Sequence, residues 1–121
     1  MIKFNLKSET LKVDTILDDG ELRWMFRFIT KIQNLEPVFK YAIIQQYNSM
    51  ATDWGMNKSD PNEFRNIIND IELYCEMWDS AIREKSYQCF ITTDCISELG
   101  DHDFMIYVDN LGNISKIDLR G

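Results

Sequence analysis

At 121 residues, 45% of them hydrophobic and 12% aromatic, the chain has the length of one domain and enough apolar side chains for a core, which excludes a disordered tail. Twenty acidic against 13 basic residues leave a net charge of -7, which repels phosphate backbones and anionic lipid and so argues against nucleic acid and membrane as partners. A cationic protein surface is the partner that such a charge attracts.

The start, MIKFNLKSET, lacks the apolar run of a secretion signal, and no stretch approaches the roughly 18 apolar residues of a membrane span, so a cytoplasmic home is expected. Cys75, Cys89 and Cys95 are odd in number and cannot all pair within one chain, which favours reduced thiols. With no repeat, low-complexity tract or Pro/Gly linker to divide it, the sequence reads as a single domain over residues 1–121.

Ile2, Phe4 and Leu6 alternate with Lys3, Asn5 and Lys7, and Leu11, Val13 and Leu17 repeat the pattern beyond Ser8-Glu9-Thr10, which predicts a hairpin. Asp18-Asp19-Gly20 ends it. Leu22, Met25, Phe26, Ile29 and Ile32 then recur at helical spacing, with Trp24 and Phe28 widening the buried face. After Asn34-Leu35-Glu36-Pro37, a second helix is expected through Phe39, Ile43, Tyr47 and Met50, folded back on the first as a helical hairpin. Residues 51–60 read as a loop holding Trp54, which is either an interface hot spot or a plug in the core.

Residues 60–84 predict a third, long helix. Asp60 suits its cap, Pro61 its first turn, and Phe64, Ile68, Ile71, Cys75, Trp78 and Ile82 form an apolar stripe at spacings of four and three. On that helix Glu72, Glu76 and Asp79 share one flank and Glu63 and Asp70 the other, while Leu73 and Met77 fall opposite the stripe. Leu73 and Met77 are then either an apolar spot within a charged rim, as at a small binding surface, or a second core layer. Glu72 and Glu76 repel one another at i,i+4 by roughly 0.2–0.5 kcal/mol, so helix stability alone does not account for the row.

Three strands are expected after the helix: residues 87–93, then Phe104, Ile106 and Val108, then Ile117 and Leu119, the last two joined by a hairpin loop at Asp109-Asn110-Leu111-Gly112-Asn113. The order is ββαααβββ, an α+β fold with an antiparallel sheet of about five strands packed on three helices.

Catalytic chemistry has little to draw on. His102 lies between Asp101 and Asp103, but no nucleophile motif surrounds Cys89 or Cys95, and a solvated histidine is the better reading. Cys89, Cys95 and His102 lack the close spacing of a zinc site, and the Asp109–Asn113 loop lacks the spacing and distal glutamate of a calcium loop. Glu72 with Glu76 is the remaining pair able to act as acid and base or to hold a divalent ion. No catalytic, cofactor or metal residue is therefore assigned.

With its carboxylate row of Glu72, Glu76 and Asp79, its small size and its acidity, the chain resembles the immunity proteins of bacterial toxin systems, including contact-dependent growth inhibition. The resemblance implies an inhibitory binding protein, not an enzyme. It would neutralise a cognate toxin with a basic surface, such as a nuclease, by stoichiometric contact through Glu72, Glu76, Asp79, Leu73, Met77 and Trp54. An adaptor or scaffold subunit, or a small carboxylate-dependent enzyme, are the alternatives.

Overall fold

The computed structural model describes residues 1–53, 61–84, 89–93 and 102–120. The first alternating segment becomes β1 (Ile2–Asn5), which pairs antiparallel with β2 (Leu11–Val13) across the expected turn. Asn5 organises that turn by accepting, at its side-chain oxygen, the backbone N–H groups of Lys7 and Ser8. Glu9 takes the left-handed backbone conformation there, with φ of 61°.

Helix α1 (Asp19–Asn34) starts where the hairpin pattern stops. Asp18 accepts from the Glu21 backbone N–H, and the Glu21 side chain accepts in return from the Asp18 N–H, so two of the first-turn donors are satisfied reciprocally. Asp18→Ala is expected to lower stability by about 0.5–2 kcal/mol in a denaturant titration, with little change in slope. Met25, Phe28, Ile29 and Ile32 are the buried face of this helix. Leu35 alone separates it from α2 (Glu36–Asp53), whose Phe39, Ile43, Ile44 and Tyr47 are buried.

The long helix expected over 60–84 is not there. Helix α3 covers only Pro61–Asp70, then the chain extends as β3 (Leu73–Met77) and closes with a short α4 (Asp79–Glu84). Period-two burial explains the change: Leu73, Cys75 and Met77 are buried while Tyr74 and Glu76 are half-buried. Cys75 satisfies both the helical and the extended pattern, but Leu73 and Met77 fit only the second. Burying each large apolar side chain stabilises the fold by about 1.5–3 kcal/mol, far more than the few tenths at stake in helix propensity.

Strands β4 (Cys89–Thr93), β5 (Asp103–Val108) and β6 (Ile114–Arg120) follow. The described strands form one antiparallel sheet in the order β2-β1-β3-β4-β5-β6, so β3 sits in the interior, paired with β1 and β4. The fold is α+β, as expected, with six strands and four helices among the described residues instead of five and three. The β5–β6 loop is the expected turn. Asp109 accepts from the backbone N–H groups of Leu111 and Asn113, and Gly112 adopts a φ of 87° against Leu35.

One core unites the buried faces of α1, α2, α3 and α4 with Ile2, Phe4, Leu73, Cys75, Met77, Ile91, Phe104, Ile106 and Val108 from the sheet. The register turns the alternate residues to the opposite face, where Lys3, Glu76, Phe90, Tyr107 and Lys116 form one cross-strand row. No described helix is long and apolar enough to cross a membrane.

Candidate functional site

The strand at 73–77 changes the surface predicted for this region. Leu73 and Met77 are buried in the same core as Cys75, on one face of a strand, so they are neither an exposed apolar spot nor a second layer on the far side of a helix. Glu72 and Glu76 are not one helical turn apart: in extended chain four residues span roughly 13 Å, so the repulsion invoked for them disappears. Both carboxylates have partners. Glu72 accepts from the Asn5 amide at 2.9 Å and the Tyr74 hydroxyl at 3.0 Å, and Glu76 accepts from Thr92 at 3.4 Å and lies 3.7 Å from the Lys3 ammonium. Trp54, Cys95 and the Asp60 cap lie outside the described residues.

The donors at Glu72, the Asn5 amide foremost and the Tyr74 hydroxyl second, hold its carboxyl below the ordinary 4.5. A depressed carboxyl contributes stability that is complete above its unfolded value and is lost as pH falls through the lower folded value. Asn5→Ala should therefore raise the Glu72 midpoint toward 4.5 in an NMR carboxyl titration and narrow that window. An unchanged midpoint would mean that the Asn5 contact does not hold the charge.

Asp79 has a different setting. The register places Met77 opposite Ile2 and Ile2 opposite Val13, so the residues just beyond them, Trp78, Met1 and Asp14, emerge at one end of the sheet. There the Met1 ammonium lies 2.6 Å from Asp14 and 3.1 Å from Asp79. One Asp79 oxygen is buried without an aligned hydrogen bond, and the ammonium compensates it as an ion pair. Asp14, the closer partner, does most to raise the basicity of the Met1 amine, and the amine in turn lowers the Asp14 carboxyl. Arg83, on α4, donates to the Thr15 hydroxyl at 3.3 Å and lines a shallow recess with Val13, Asp14 and Ile16.

This corner exposes apolar surface as well as charge. Ile16 is 93% exposed, Trp78 51% and Val13 41%. Residues 13–21 carry four carboxylates, Asp14, Asp18, Asp19 and Glu21, and no basic residue. Single exposed apolar residues are ordinary, but here several lie at one end of a sheet next to a carboxylate-rich stretch, with the Met1 ammonium and Arg83 as basic groups beside them. Sequence reasoning placed Asp79 in a binding surface but missed Ile16, to which it gave no role, and Trp78, which it read as core. The signal for Ile16 was present: it breaks the alternation of Val13 and precedes the Asp18 cap without belonging to either pattern.

The described residues hold no cluster of three or more His, Cys, Asp or Glu able to bind a metal ion. Cys75 is a free thiol buried in the core, and His102 is half-buried at the start of β5. No protein-family model, curated protein or solved structure matches this chain.

Proposed function

We propose that this protein acts by stoichiometric protein–protein contact, as an immunity-type inhibitor of a cationic toxin such as a nuclease, and that the corner around Ile16, Trp78 and Asp79 makes the contact. The observation that carries this reading is the exposure of Ile16, Trp78 and Val13 at that end of the sheet, beside the carboxylate-rich stretch 13–21 that supplies Asp14, Asp18, Asp19 and Glu21. Apolar anchors supply the lifetime of such a complex, and the carboxylates supply rapid encounter with a basic surface. A net charge of -7 extends the same attraction beyond the contact. Nuclease toxins carry basic clefts because their substrates are polyanions, so an acidic inhibitor matches them by charge.

The test is co-expression with the product of the adjacent reading frame. The expected result is a one-to-one complex that elutes together at low salt, and growth of cells that the neighbouring product alone would arrest. Separate elution together with continued arrest would overturn the reading.

A further inference from the structure

Against the acidic whole, one small recess is basic. It measures about 280 Å³, lies at the β1–β2 hairpin and is lined by Lys3, Asn5, Ser8, Thr10, Lys12 and Tyr74. The register sets Lys3 directly opposite Lys12, a like-charge pairing that costs an antiparallel ladder free energy unless something neutralises it. Lys3 is partly compensated by Glu76 at 3.7 Å and by the Tyr74 ring, whose centroid is 4.5 Å from the ammonium. Lys12 forms no ion pair among the described residues.

The rest of the lining supplies hydrogen-bond donors. Ser8 and Thr10 hydroxyls are 2.9 Å apart and bonded to each other, so whichever donates, the other keeps its proton for an incoming oxygen. Tyr74 adds a flat aromatic wall. Glu72 and Glu76 are already engaged by Asn5, Tyr74, Thr92 and Lys3, and Glu9, between Ser8 and Thr10 in the turn, accepts from the Gln33 amide at 3.4 Å.

We propose that this recess binds the phosphate group of a small phosphorylated molecule, with Lys3 and Lys12 closing on its oxygens and the Ser8/Thr10 pair donating a further hydrogen bond. Two ammonium groups on adjacent strands match a doubly charged tetrahedral anion better than a singly charged planar carboxylate. The volume lies just below the usual range of ligand sites, which limits the occupant to a small molecule. The acidity of the whole chain turns away polyanions, but at physiological salt charges beyond about 8 Å are largely screened, and the local lysines then decide.

The experiment is an NMR titration of the full chain with inorganic phosphate, with acetate and chloride as parallel arms at matched ionic strength. Phosphate should shift Lys3, Ser8, Thr10 and Lys12 amides with a Kd of roughly 1 mM, while acetate binds about tenfold more weakly and chloride does not saturate. Lys12→Ala should weaken phosphate by about tenfold and leave melting unchanged or slightly raised, since it removes the like-charge pair, and Lys12→Arg should restore binding. Acetate binding as tightly as phosphate, shifts equal in chloride, or unaltered phosphate binding by Lys12→Ala would each overturn the assignment.

Discussion

Leu73→Ala is expected to cost about 2–5 kcal/mol of folding stability, a large part of the 5–15 kcal/mol available to a domain of this size. Leu73 is fully buried on an interior strand, with Asn5 and Leu6 of one neighbour and Thr93 of the other beside it, and its removal leaves a cavity that a sheet paired on both sides cannot collapse. Urea unfolding measures the effect directly, as a lower midpoint at constant slope. On the face of a long helix opposite the core, the same substitution would cost within about 0.5 kcal/mol, the usual range for surface sites. The outcome thus separates strand from helix at residues 73–77 without a structure determination. Glu76→Ala offers the contrast: among the described residues its carboxylate pairs with Lys3 and Thr92, and a change below about 1 kcal/mol is expected.

Ile16→Ala combined with Trp78→Ala should weaken binding to the cationic partner by about 2–4 kcal/mol, or roughly 30- to 1000-fold in Kd, mainly through faster dissociation. Ile16 stands almost wholly in solvent at 93% exposure, and Trp78 is half-exposed at 51%, so truncating Ile16 removes little that folding uses and truncating Trp78 removes part of its packing. A melt alongside the binding measurement confirms that the variant is folded. Undiminished affinity would remove these two residues from the interface. Loss of affinity with a collapsed melting transition would assign Trp78 to packing.

These two predictions sit on opposite sides of what the sequence discloses. The hairpin at 2–13, α1 and the turn at 109–113 were legible because each has a clear period or a chemical stop signal, such as Asp18 or Gly112, whereas α2, with apolar residues on more than one side, was placed by Pro37 and runs on through residues 51–53, expected as loop. Residues 71–78 have apolar or aromatic side chains at all but two positions, so the helical and extended periods fit almost equally well. Only long-range pairing with β1 and β4 decides between them, and that information is not local. The displaced positions of Leu73 and Met77 on the helical wheel were the trace of the true period. A helix that leaves two large apolar side chains on its outer face is a poorer solution than a strand that buries them.

The same ambiguity moved the binding surface. Glu72, Glu76 and Asp79 formed a row only on a helix. On the strand, Glu72 and Glu76 face the hydrogen-bonding neighbours Asn5, Tyr74 and Thr92, and Asp79 alone reaches the acidic corner. Acidity as a property of the whole chain survives any such change of secondary structure, because net charge does not depend on register. Its location does depend on register, and Trp78 and Asp79 reach the same end of the sheet as Met1 and Asp14 only once Met77, Ile2 and Val13 are aligned across three strands.

The role proposed for the corner is to attract and hold a basic partner. Stopped-flow association of the purified protein with that partner, measured from low to high salt for the wild type and for a chain carrying Asp14→Lys and Asp19→Lys, tests it most directly. The wild-type rate should fall steeply with salt, and the variant should associate about tenfold or more slowly at low salt with a much flatter dependence. Equal rates with equal salt slopes, from two proteins that melt alike, would contradict it.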